Sequence, residues 1–242
     1  GEYSHRFVFG FDQKEFDNAC TLNGAAICGA GGADVTVRPL SLTYLGQWAA
    51  PGRSTDFSLA ASHNLPGGPH GRQADFGLVR PGSERDYSLY RLTASHAQSV
   101  GGDWQWRVAV NGQLTSTALV PGEQLGLVGG SAVRGFEERV VARDAGYVAN
   151  FEVYTPDLLA GQPGVGSGNL RGLAFVDFGR GWDRRPTPQL HPTESVASAG
   201  LGLRYALGRD ASLRFDLARV TDGSETVPAG NWRGHFALTF GY

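Results

Sequence analysis

The feature that most constrains this chain is its alternation with a period of two, clearest at the C-terminus. There Trp232, Gly234, Phe236, Leu238, Phe240 and Tyr242 fall on one side, and Arg233, His235, Ala237, Thr239 and Gly241 on the other. Successive side chains of a β-strand point to opposite faces, so this pattern describes a strand with one apolar and one polar face. It recurs where Leu213, Phe215 and Leu217 alternate with Ser212, Arg214 and Asp216, and where Leu201, Leu203 and Tyr205 alternate with Gly200, Gly202 and Arg204. Further candidates cover residues 3–12, 35–48, 56–63, 86–96, 104–115, 147–155 and 170–178. The total is about ten strands, most of them about nine or more residues long, enough to cross a bilayer at a tilt.

The connections fall into two classes. Those at 49–55, 97–103 and 207–210 are short and that at 156–169 is intermediate, whereas 16–34, 64–85, 116–146, 179–194 and 221–231 are long. Long and short alternate strictly. Tight turns at one end and long loops at the other are the layout of an outer-membrane β-barrel. A soluble β-sandwich also has alternating strands, but nothing in its construction forces loop length to alternate. The expected fold is therefore all-β, an antiparallel transmembrane barrel. Its polar face would carry Arg6, Asp12, Arg91, Arg107, Glu152, Arg171, Asp177, Arg204, Arg214 and Asp216. These charges suit either a hydrated channel or the paired interior of a plugged barrel.

Composition agrees, with 36 glycines in 242 residues, 11% aromatic and 18% charged residues. A net charge of −2 offers neither a nucleic-acid footprint nor a polybasic membrane patch. No apolar run of about 18 residues suggests a transmembrane helix, and the N-terminus lacks a signal-peptide pattern. The chain has no methionine and opens at Gly1 directly on strand-like sequence, so it is expected to be a piece of a longer protein.

Cys20 and Cys28 lie in a Gly/Ala/Asn-rich stretch, where a small loop disulfide in an oxidising compartment and two free thiols are both open. No metal site is expected, because no histidine lies near the pair. His5, His63, His70, His96, His191 and His235 are scattered singly, and no GxSxG elbow accompanies them. Neither an enzyme nor a cofactor is expected.

The loop Pro121-Gly122-Glu123-Gln124-Leu125-Gly126-Leu127-Val128-Gly129-Gly130-Ser131-Ala132-Val133-Arg134-Gly135-Phe136-Glu137-Glu138-Arg139 is the most informative segment. Its glycine spacing fits neither a P-loop nor a dinucleotide turn, and no lysine follows. The Pro-Gly-Glu-Gln start, the pair Gly129-Gly130 and the tip Val133-Arg134-Gly135-Phe136, followed by Asp144 and Gly146, resemble the sixth extracellular loop of two-partner secretion transporters. This is the haemolysin secretion/activation and filamentous-haemagglutinin exporter family, related to the barrel-assembly insertases. The resemblance implies that the loop folds into the barrel and that its arginine pairs with the aspartate of a Phe-x-Asp-x-Gly wall motif. Here that motif is Phe175-Val176-Asp177-Phe178-Gly179, so Arg134 and Asp177 are the implied latch. Arg38-Pro39-Leu40-Ser41-Leu42, Phe151-Glu152-Val153-Tyr154-Thr155-Pro156 and Ala199-Gly200-Leu201-Gly202-Leu203-Arg204-Tyr205 fit the same family.

Family barrels are sixteen-stranded. By that resemblance, residues 1–242 are the C-terminal part of one barrel domain, without its first strands, plug helix and periplasmic domains. The implied function is passive export of a large secreted partner protein across the bacterial outer membrane. The partner would be recognised mainly by the periplasmic domains. The polar, small, aromatic, aromatic spacing of His235, Ala237, Phe240 and Tyr242 resembles the C-terminal signal that the barrel-assembly machinery reads. Outer-membrane lipid is a further expected partner and nucleic acid is not. An insertase-like barrel and a nonspecific porin are the alternatives. Such a piece alone is expected either to leave an open, curved sheet or to close between its first and last strands.

Overall fold

A computed structural model describes residues 1–17, 21–22, 25–26, 33–160, 168–185, 192–208 and 211–241. Ten strands form one antiparallel sheet: β1 (Glu2–Phe11), β2 (Pro39–Ala50), β3 (Arg53–Asn64), β4 (Ser88–Ser99), β5 (Gln105–Leu114), β6 (Ala145–Tyr154), β7 (Gly168–Trp182), β8 (Thr193–Leu207), β9 (Ala211–Asp222) and β10 (Trp232–Phe240). Each strand pairs with its neighbours in the chain, as hairpin connections dictate. The sheet is open, because β1 pairs only with β2 and β10 only with β9. Among the described residues no helix is long and apolar enough to cross a membrane.

The alternation legible in the sequence becomes an alternation of burial. From Leu173 to Gly181 along β7, odd-numbered residues are buried and even-numbered ones exposed. The outward face keeps large apolar side chains bare: Leu201 is 68% exposed, Phe236 65% and Phe240 71%. A surface this greasy is stable against lipid and not against water.

The polar face of β6–β9 is covered by the loop between β5 and β6. Leu127, Val128, Val133, Phe136 and Val141 of the loop pack with Val148 of β6, Val196 of β8 and Val220 of β9 in one buried cluster. A second cluster closes the long-loop end, where Val35, Val37, Phe76, Tyr87, Leu89, Leu119 and Val120 meet.

Two details depart from the sequence reading. The expected strand at 35–48 is divided. Val35–Val37 pairs with Lys14–Phe16 in a separate two-stranded ladder, and only Pro39–Ala50 joins the main sheet. Pro39 has no N–H to donate and holds the first position of β2, where a proline is tolerated. The loop after β3 also carries a short helix, α1 (Gln73–Val79), whose N-cap backbone N–H of Arg72 donates to Asp75 Oδ2 at 2.9 Å. α1 has a single fully buried apolar side chain, Phe76, too few for a helical period to show in the sequence.

Candidate functional site

The tip of the inward loop is built to place one arginine. Val133 N donates to Leu127 O at 3.1 Å and Gly129 N to Val133 O at 3.0 Å, which closes the tip on itself. Gly135 has φ +99°, a conformation that favours glycine, and a Cβ there would come within 3.1 Å of Val220. Arg134 thus projects into the wall with 1% of its surface exposed.

Three strands meet it with carboxylates. Arg134 Nε and Nη2 donate to Asp177 Oδ2 and Oδ1, both at 2.7 Å, a bidentate pair. The Arg134 backbone N–H adds a bond to Asp177 Oδ2 at 3.1 Å. Nη1 donates to Glu152 Oε1 at 2.9 Å and lies 3.5 Å from Asp216 Oδ1. Asp177 is on β7, Glu152 on β6 and Asp216 on β9, all on the inward parity of their strands. Beneath the guanidinium lies the Phe175 ring, 3.5 Å from centroid to Cζ.

Outer partners hold the carboxylates in turn. Asn150 Nδ2 donates to Asp177 Oδ1 at 2.8 Å and to Ala132 O at 2.9 Å, tying wall to loop with one amide. Tyr154 OH donates to Glu152 Oε2 at 2.6 Å, and Arg107 reaches the same oxygen at 3.4 Å. Arg204 and Arg214 flank Asp216 at 2.8 Å and 2.7 Å. Buried charge is tolerable only when paired and hydrogen-bonded, and here Arg134 faces carboxylate oxygen on every donor edge.

A second polar knot fixes the loop roots. Asp144 is fully buried and accepts from Leu119 N at 3.1 Å, Arg184 N at 2.9 Å, Gln124 Nε2 at 3.1 Å and the guanidinium of Arg80. Arg80 also bonds Asp183 at 3.1 Å, and Arg143 bonds Glu194. Three long loops are thereby joined at one point. Burial, and next the neighbouring Asp144 carboxylate, push the Asp183 carboxyl above its ordinary value.

Residues singled out from the sequence are thus brought together to a large extent. Val133, Gly135 and Phe136 are buried around Arg134, while Gly179 lies against Val133 and Phe175 under the guanidinium. Gly129 closes the tip, and Gly130 donates its N–H to Glu138 at 2.6 Å and accepts from Arg214 at 2.5 Å. Phe240 ends β10 on the outward face, well away from this site. Cys20, Cys28 and Tyr242 lie outside the described residues. Glu152 and Asp216 were legible only as inward charges; their strand parity was the signal, and their convergence on Arg134 had none. Arg80 and Asp183 were missed, since they come from loops without periodicity.

No curated protein matches the chain in sequence. Its fold is similar to CdiB from Escherichia coli, with a TM-score of 0.73 and 17% identity over 97% of this chain and 41% of that one. CdiB from Acinetobacter baumannii is similar at a TM-score of 0.63 and 17% identity, over 86% of this chain and 34% of that one. The chain therefore spans less than half the length of these two proteins. The family model for the haemolysin secretion/activation protein ShlB/FhaC/HecB matches residues 33–205. Because that match takes in most of the chain, including the inward loop and the strands that carry Glu152 and Asp177, the chain belongs to the haemolysin secretion/activation protein family.

Proposed function

We propose that this chain is the C-terminal wall and inward loop of a barrel that exports a large secreted partner protein across the bacterial outer membrane, without nucleotide energy. Membership of a family of outer-membrane secretion transporters supports this reading. The observation that carries it is the placement of Arg134 among Asp177, Glu152 and Asp216. A loop held inside a polar-walled barrel by a charge-assisted clamp narrows the lumen, and its position then sets when an unfolded chain can pass. Arg134 and Asp177 are the latch in this reading, with Gly129, Gly130, Val133, Gly135 and Phe136 shaping the loop and Phe175 and Gly179 the wall that receives it. Transport along such a wall requires no catalytic group.

The remainder of the barrel and the periplasmic domains that recognise the partner belong to the longer protein. The bare apolar band of β8–β10 is the surface for outer-membrane lipid. In this reading the spacing of Phe240 and Tyr242 in the sequence is the signal for the barrel-assembly machinery. In the full-length transporter, Arg134→Ala should abolish secretion while the protein remains folded in the membrane. Normal secretion by that variant would refute the latch.

A further inference from the structure

Beyond the carboxylate clamp, the loop tip has a second attachment, on the last strand. The backbone N–H of Gly135 donates to His235 Nε2 of β10 at 3.0 Å. The imidazole also lies against Gly130, where a Cβ would come within 3.3 Å of Nδ1. Next to it, Arg214 of β9 donates to Gly130 O at 2.5 Å, and Arg233 of β10 lies 3.3 Å from Glu137 of the loop. The tip is therefore strapped to β9 and β10 on one side and clamped to β6 and β7 on the other. Of all these contacts, only the one through His235 uses an acceptor that a proton can remove near neutral pH.

We infer that His235 is a positioning residue that holds the loop tip to the terminal strand while its imidazole is neutral and releases it on protonation. An imidazole nitrogen accepts a hydrogen bond only when it carries no proton, so the Gly135 bond requires the neutral ring with its hydrogen on Nδ1. Protonation replaces the acceptor by an N–H pointing at another N–H.

The charged groups facing His235 are Asp216 and Arg214 from β9, Arg233 on β10 itself and Glu138 from the loop. Asp216 is already matched by Arg204 and Arg214, and Glu138 is engaged with the Gly130 N–H, so both carboxylates are committed. Around them, Arg134, Arg107, Arg204 and Arg214 face Glu152, Asp177 and Asp216. A proton on His235 therefore adds a cation beside Arg214 and Arg233 that no uncommitted carboxylate matches. Loss of the acceptor and cation repulsion act in the same direction, freeing the tip from β10 while the Asp177 clamp stays in place.

The inference deepens the export reading, in which the loop must change position, but its test reads the Gly135 amide and needs no secreted partner. Hydrogen–deuterium exchange of the peptide over residues 134–136 is followed in the full-length transporter in lipid. The two conditions, pH about 7.5 and about 4.5, lie on either side of the free histidine value near 6.5, the lower one well below it because the Gly135 bond favours the neutral ring, and rates are corrected for intrinsic exchange. The wild type should exchange about tenfold faster at the lower pH. His235→Gln, whose amide oxygen can accept without titrating, should stay protected at both, and His235→Phe should be unprotected at both. A wild type equally protected at both values, or a His235→Gln variant with the wild-type pH dependence, would overturn the strap. The comparison of wild type with His235→Gln suffices if the phenylalanine variant fails to fold. A transporter that secretes normally with a flat exchange profile loses the strap alone. One that titrates as expected but exports nothing loses the export reading alone.

Discussion

Phe175 lies beneath Arg134, its ring centroid 3.5 Å from the guanidinium carbon, because Gly200, its cross-strand partner on β8, leaves room for the ring: a Cβ at Gly200 would come within 2.5 Å of it. Wall and loop are thus matched through a missing side chain on β8, the strand between those that carry Asp177 and Asp216. The ring supplies both packing and an electron-rich face to a desolvated guanidinium, worth up to about 2 kcal/mol for the cation–π part alone. Phe175→Leu, which keeps the apolar volume, should lower the stability of the full-length barrel by about 1–3 kcal/mol. Gly200→Val should do at least as much by displacing the ring. Urea titration of the folded band on unheated gels checks both.

Arg134 and Asp177 should be strongly non-additive. Removing one partner of a buried pair leaves the other charge unmatched, at about 3–5 kcal/mol, whereas removing both leaves a smaller defect. Asp177→Asn should therefore cost more alone than it adds on top of Arg134→Met. A double-mutant cycle on the same unfolding transition measures the coupling, and additive losses would mean that the bidentate geometry contributes nothing.

How much of this was legible beforehand varies with the kind of residue. The strands were readable because Leu201, Phe236 and Leu238 repeat at the period the pleat imposes, and the open ten-stranded sheet follows that pattern closely. Arg134 and Asp177 were readable as a pair only through resemblance, because they lie 43 residues apart and no local rule links them. Glu152 and Asp216 had the right parity, but which inward charge meets which depends on how far the loop descends, and its depth is set by tertiary packing. The knot of Arg80, Asp144 and Asp183 is built from loop residues whose order along the chain has no period. Pro39 was the visible warning at the divided strand 35–48, and length favoured the wrong reading there.

The loop-root knot makes a prediction about pH. A carboxyl whose folded value is raised holds its proton more tightly in the folded state than in the unfolded one. Folding is then favoured at low pH, and that contribution falls as the pH rises from the free aspartate value near 3.9 through the raised value of Asp183. Asp183→Asn should flatten this fall, so its stability relative to wild type should improve between pH about 4 and about 7. Asp144→Asn should instead destabilise throughout, since Asp144 accepts from Leu119 N, Arg184 N, Gln124 and Arg80 at once. Unfolding midpoints measured across that range distinguish the two variants.

The two faces of the sheet should respond oppositely to a new charge. Leu201 projects outward from β8 and Ser95 projects inward from β4, on the same face as Asp56 opposite it. If the outward face meets hydrocarbon, Leu201→Arg must desolvate a guanidinium or thin the bilayer around it, at about 2–4 kcal/mol near the midplane. Ser95→Arg places the same group in a wall already lined by Arg6, Gln47 and Asp56, where water and a counter-charge are at hand. The full-length protein carrying Leu201→Arg should therefore assemble poorly and lose its folded, heat-modifiable band. Ser95→Arg should assemble normally and alter conductance in a planar bilayer. The reverse ranking, with the outward arginine harmless and the inward one disruptive, is what a water-exposed sheet would give, and it would remove the membrane from the explanation of this fold.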